Sequence, residues 1–259
     1  MIKIIDPVMI RIFSLEIRWY GFLIVSALLI SLFMLNYLLK KEKNFDFEFF
    51  LDFLIIAFPL GVIAARIYYV IFNLDYYLNQ PLKILAIYEG GLAIHGGLLL
   101  GIAVLFLLAK KRNKRFLPAL DYLAPLTAFT QSVGRWGNFI NQEAYGKVVE
   151  ESYFNFFPEF IKKQMYIEGA YREPTFFYES AANFFLFIFL IFYLRSDRRK
   201  DGEVFSLYLI VYSLFRFFIE EQRTDSLLIG EFQIAKLVSL LMIVGGLALF
   251  YYIRTNKSV

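Results

Sequence analysis

Seven stretches of mostly apolar residues limit this chain to a bilayer. They run at about 19 to 39, 49 to 73, 92 to 109, 119 to 140, 176 to 194, 203 to 221 and 232 to 253. A membrane-spanning helix takes roughly 20 apolar residues, so seven spans absorb about 140 of them. Little of the 259-residue chain is left for anything but termini, connections and one small head, and a large soluble catalytic domain is excluded. With 59% hydrophobic and 19% charged residues, it has more apolar surface than one water-soluble core of its length can bury. The first stretch outlasts a signal-peptide core and runs into Lys40, Lys41 and Lys43, so it reads as an uncleaved span. The fourth is the weakest, because it holds Asp121, Gln131, Arg135 and Asn138.

Basic residues between spans set the orientation. With the N-terminus outside, the inner segments hold 14 Lys and Arg, in groups such as Lys110 to Arg115, Arg195 to Lys200, and Arg254 with Lys257. The outer segments, longer in sum, hold 9, beginning with Lys3, Arg11 and Arg18. The expected fold is therefore an all-α polytopic membrane protein of about seven transmembrane helices, N-out and C-in. Residues 1–140 would form spans one to four, 141–175 an extracytoplasmic head, and 176–259 spans five to seven. The head segment is polar and aromatic, too long for a simple turn and long enough for short helices or strands.

The net charge of +4 reports topology, and no nucleic-acid signal accompanies it. With no Cys and one His, the chain has no thiolate or clustered-imidazole metal site and no thiol nucleophile of its own. Any reacting thiol would belong to a substrate.

A charge inside a span costs about 2.5 to 3.5 kcal/mol on insertion scales, so each needs a partner, a wet cavity or a task. Lys236 lies one turn into the last span, where snorkelling explains it. Arg66, Arg135 and Arg216 lie deeper. Arg216, Glu220 and Arg223 are spaced i, i+4, i+7 in RFFIEEQR and predict an ion-pair ladder on one helical face. Arg135 stands in GRWGNFINQEAYG with no acid in its own turn, and a guanidinium without a local carboxylate suits a phosphate through its bidentate fork. His95, in EGGLAIHGGLLLG, is flanked by glycines that bring backbones close. A lone His is ordinarily a packed core residue, and a general base is the sharper reading. Under the N-out orientation Tyr20, Arg66, His95, Arg135 with Asn138, and Arg216 with Glu220 share one level. The expected object is a polar cavity near the outer leaflet, suited to an anionic phospholipid head group. Asp121, near the inner end, reads as a cap.

At these residues the chain resembles the prolipoprotein diacylglyceryl transferases of bacterial cytoplasmic membranes. The likeness runs through IRWYG, ARIYYV, EGGLAIHGG, DYLAP, GRWGNFINQEAYG, REPTFFYE and FRFFIEEQRTD. It implies transfer of the diacylglyceryl group of phosphatidylglycerol to the lipobox Cys thiol of a prolipoprotein signal peptide, releasing glycerol phosphate and leaving a thioether. No metal or organic cofactor is implied, and the partners are membrane lipid and precursor, with a monomer expected. Matched position by position, His95, Arg135 and Arg216 are the expected catalytic residues. Tyr20, Arg66, Asn138, Glu143, Gly146, Glu220 and Arg223 join Arg135 in substrate binding. The chain departs from the common family pattern at Ala65, at Glu173 to Phe176 and at Thr224. The resemblance places the protein in the bacterial inner membrane with its active site on the extracytoplasmic side. Two rivals use the same residues. An anionic-lipid transporter predicts polar outliers at the inner level too, and a non-catalytic scaffold predicts an acid partner for every arginine.

Overall fold

The computed structural model describes residues 5–13, 15–40, 42–87, 90–226, 228–230 and 232–256. Lys3, Lys41 and Lys257 of the orientation count, and Glu89 of the EGGLAIHGG motif, lie outside these residues. The chain is an all-α polytopic membrane protein with small β elements. Its long helices, among the described residues, are α1 (Trp19–Leu39), α2 (Phe47–Ile71), α4 (Ile94–Lys111), α5 (Phe116–Asn141), α7 (Thr175–Leu194), α8 (Glu203–Glu220) and α9 (Ile234–Thr255). Two short helices are α3 (Leu74–Asn79) and α6 (Glu159–Gln164). Five of them (α1, α2, α4, α7 and α9) are long and apolar enough to cross a membrane. The 21 residues of α1 rise roughly 31 Å at the helical pitch, close to the hydrocarbon thickness. Helices α5 and α8 fall short of that apolarity because they carry the polar residues from which the site is built.

Two compact units divide the chain. One, Asn36–Ala119, is held by α2 against α4. Glycine makes that contact possible: a Cβ on Gly96 would stand 2.5 Å from the Ala64 carbonyl oxygen and 2.7 Å from Tyr68 Cβ, so only a bare backbone fits. The other unit comprises Met1–Leu35 and Leu120–Val259. Here α8 packs on α9, where a Cβ on Gly246 would meet the Ser206 carbonyl at 3.0 Å. Large apolar side chains such as Phe33, Phe192 and Leu241 point outward, as lipid-facing residues must.

The head follows α5. Strands β1 (Val148–Val149), β2 (Tyr166–Ile167) and β3 (Ala170–Arg172) form an antiparallel sheet in the order β1-β3-β2. Phe139, Phe154, Ile161, Met165, Ile167 and Phe176 form its core. This core joins the end of α5 and the start of α7 to the head. Gln164, 1% exposed, donates to the carbonyls of Phe139 and Ile140, satisfying acceptors that the end of α5 leaves without helical partners. At the opposite end of the same unit Asp121 accepts from the backbone N–H groups of Gly202 and Phe205. This caps the N-terminus of α8, where a carboxylate is favoured.

Candidate active site

Within the larger unit, the ends of three helices, α5, α7 and α8, converge on Glu179, in the first turns of α7 and 3% exposed. Its carboxylate meets three guanidiniums: Arg135 (Nη2···Oε2 2.7 Å), Arg216 (Nη1···Oε1 3.2 Å) and Arg223 (Nη1···Oε1 3.5 Å). Arg216 also pairs with Glu220, one turn on, at 2.5 Å. Two expectations are corrected here. Arg135 has a carboxylate partner, supplied by a different helix and therefore invisible to spacing along its own. The ladder on α8 stops after one rung, because the helix ends at Glu220 and Arg223 leaves it. Its side chain then grips Asp225 bidentately (Nε to Oδ1 2.9 Å, Nη2 to Oδ2 2.8 Å). Partial burial raises the carboxyl of Asp225, but the hydrogen bonds and charge of Arg223 outweigh it and hold the group below its ordinary value.

Glu179 is the residue that the sequence reading missed. It lies in the REPTFFYE segment, and its signal was available: a carboxylate in an otherwise apolar span is as anomalous as an arginine there. Its placement is locally over-determined. Ser132 on α5 donates to the Ser180 carbonyl at 2.8 Å, and Trp136 Nε1 donates to Ser180 Oγ at 3.0 Å. These bonds fix α7 against α5 one residue from Glu179.

The signature block folds around the end of α5. Arg135 Nη1 donates to Asn138 Oδ1 over a long 3.4 Å, and Asn138 Nδ2 donates to Glu143 Oε1 at 2.8 Å. Gln142 and Ala144 both have positive φ, 57° and 56°. That conformation costs of order 1–3 kcal/mol per non-glycine residue and persists only where the surroundings enforce it. Thr175 does so by donating to the Ala144 carbonyl at 2.6 Å, which turns Glu143 back toward Asn138. Gly146 forms an antiparallel bridge with Arg223. A Cβ on Gly146 would come within 2.8 Å of Glu173 Cβ. Tyr20, at the start of α1, lies against Gly137, where a Cβ would stand 2.4 Å from the ring. The structure thus brings Tyr20, Arg135, Asn138, Glu143, Gly146, Arg216, Glu220 and Arg223 into one neighbourhood.

The guanidiniums are under-used. Arg135 contacts Glu179 as an ion pair without the alignment of a hydrogen bond. Among the described residues its Nε has no partner, and neither has that of Arg216. An apolar crevice of about 330 Å³ opens between α5 and α7, lined by Leu23, Phe129, Val133, Trp136, Phe177 and Phe184, and Arg216 lines a separate, smaller one with Glu179.

In the smaller unit His95 stands in the first turn of α4. It is exposed, and its ring is 6.3 Å from that of Tyr68 at 32°. Arg66, expected to share in substrate binding, differs from Arg135. Its donors are all taken by backbone carbonyls: Nε by Ile84, Nη1 by Gly90 and Gly91, and Nη2 by Lys83 and Ala86.

A family model described as prolipoprotein diacylglyceryl transferase matches residues 7–252. The chain belongs to that family. Relatives named phosphatidylglycerol–prolipoprotein diacylglyceryl transferase occur in Streptococcus mutans serotype c (45% identical, covering 98% of both chains) and Clostridium novyi (46%, covering 97% of this chain and 96% of the relative). Another, from Listeria innocua serovar 6a, is 42% identical and covers 98% of this chain and 92% of its own. In this member of the prolipoprotein diacylglyceryl transferase family, GRWGNFINQEAYG and FRFFIEEQRTD meet through Glu179 and the Gly146–Arg223 bridge.

Proposed function

We propose that this chain transfers the diacylglyceryl group of phosphatidylglycerol to the lipobox Cys thiol of a prolipoprotein, the first step of bacterial lipoprotein maturation. The alkyl C–O bond at the glyceryl carbon breaks and a C–S thioether bond forms. The electron pair of the broken bond stays on the phosphate oxygen, so glycerol phosphate leaves with one more negative charge than the diester had. Arg135 and Arg216 hold that phosphate and stabilise the charge as it grows, a contribution of about 2.7–4 kcal/mol by analogy with single oxyanion donors. His95 accepts the thiol proton, because a free thiol of pKa about 8.5 is mostly protonated at neutral pH. Glu179 and Glu220 orient the guanidiniums. Tyr20, Asn138 and Glu143 hydrogen-bond the glycerol and ester oxygens, and the crevice beside Trp136 takes acyl chain.

The observation that carries this reading is the contrast between arginines. A scaffold residue spends its donors on the fold, as Arg66 does, whereas Arg135 and Arg216 each keep an Nε donor without a partner among the described residues. An acid partner for Arg135 removes the simplest argument against a scaffold, and the unspent donors replace it. The protein lies in the bacterial cytoplasmic membrane as a monomer with seven spans, counting α5 and α8, N-out and C-in, with residues 141–175 as the extracytoplasmic head. Incubating purified protein with phosphatidylglycerol and a lipobox peptide tests the activity: a peptide mass raised by one diacylglyceryl group, with glycerol phosphate released, is expected. An unchanged peptide from correctly inserted protein overturns the proposal.

A further inference from the structure

Arg66 is 6% exposed and sits in the second half of α2. An arginine has five N–H donors in a fixed plane, and here each meets a carbonyl of one short segment: Ile84 at 2.9 Å, Gly90 at 2.7 Å, Gly91 at 3.0 Å, Lys83 at 2.5 Å and Ala86 at 3.4 Å. Its other face covers the Tyr77 ring at 5.2 Å. No donor remains for a phosphate.

The same segment leads into α4. The Ala93 N–H donates to the carbonyl of Ala65, the residue before Arg66, at 3.0 Å, and His95 follows two residues later. Gly90 and Gly91 have φ of +89° and +70°, a conformation that L side chains resist. A Cβ on Gly91 would stand 2.5 Å from Arg66 Nη1 and 2.8 Å from the Tyr69 ring. The glycine pair and the arginine are therefore two sides of one fit, with the backbone wrapped around a guanidinium.

We propose that Arg66 is a positioning residue for the transfer reaction, its guanidinium gathering the carbonyls of Lys83, Ile84, Ala86, Gly90 and Gly91 and so setting where α4 begins and where His95 is held. The proposal rests on the reading of His95 as the acceptor of the thiol proton. Lys cannot replace Arg in this role, because a single ammonium has three donors and no plane.

The test combines steady-state kinetics, with phosphatidylglycerol and a lipobox peptide, and amide hydrogen exchange over residues 83–93. Arg66→Lys should lower kcat by about tenfold or more, leave KM for phosphatidylglycerol within about twofold, and speed exchange in the segment. Gly91→Ala, which disturbs the fit from the other side and leaves Arg66 in place, should show the same pattern and serves if Arg66→Lys fails to insert. In a His95→Gln background Arg66→Lys should add little further loss, as for two residues acting through one step. A raised KM with unchanged kcat would overturn the proposal in favour of phosphate binding. Faster exchange with full kcat would reduce Arg66 to a structural tie. Full turnover of His95→Gln alone would remove the base assignment, a result read independently of either Arg66 or Gly91.

Discussion

Replacing Glu179 by Gln keeps the side chain's shape and removes the charge that three guanidiniums share. Breaking a buried ion pair from one side costs about 3–5 kcal/mol, because the partner charges stay buried without compensation. Glu179→Gln should therefore melt at a lower temperature in detergent and lose about tenfold or more of its transfer rate, measured as thioether formed per unit time. A variant with unaltered melting and rate would show that the arginines do not depend on this carboxylate. Asp225 makes a prediction in pH. Arg223 depresses its carboxyl in the folded protein, so the pair's contribution is fully present above the ordinary carboxyl value of 3.8 and is lost as pH falls through the lower folded value. The stability gap between wild type and Asp225→Asn should be constant from pH 7 down to about 5 and close in more acid solution, read from melting curves across that range. Among the site arginines, Arg135 and Arg216 were legible in the sequence as charges inside spans, and Arg223 by its helical spacing from Arg216. Glu179 in REPTFFYE was legible too, as an acid in an apolar span, but its pairing with them was not, because it stands on a different helix from Arg135 and Arg216.

At the scale of elements, helix ends do the positioning. The end of α5 presents Arg135 and Asn138, its turn at Gln142 and Ala144 returns Glu143, and the start of α7 supplies Glu179. Gly137 sets how closely the start of α1 approaches, since its missing Cβ is the space occupied by the Tyr20 ring. Gly137→Ala should cost about 1–3 kcal/mol as overpacking and displace Tyr20. Its signature is a lower melting temperature together with a weaker KM for phosphatidylglycerol, while a variant matching wild type in both would remove Tyr20 from the site. Spans α1, α2, α4, α7 and α9 could be read from apolar length alone, with boundaries close to those seen. The sixth stretch likewise ends at 221, one residue past α8, but the helical charge spacing of RFFIEEQR predicts a ladder running on to Arg223, where the chain instead turns away to pair Gly146 with Arg223. That break is a tertiary preference which local periodicity does not register.

For the whole molecule, the absence of native Cys makes topology directly measurable. With Glu150→Cys in the head and Asp197→Cys between α7 and α8, a membrane-impermeant maleimide should label the first in intact cells and the second only after permeabilisation. The reverse pattern would invert the orientation inferred from basic residues. The general fold and the family were both legible in the sequence, because apolar length and an extended signature block act over many residues at once. The pairing of Arg135 with Glu179, and the complete use of Arg66 by a loop, depend on contacts far apart in the chain and appeared only in the fold. The central claim is that unspent guanidinium donors grip the phosphate of the lipid. Arg135→Lys tests it most directly, since it keeps the charge and loses the fork. The initial rate of thioether formation should fall about a hundredfold in a variant that still inserts, and a rate close to wild type would contradict the account.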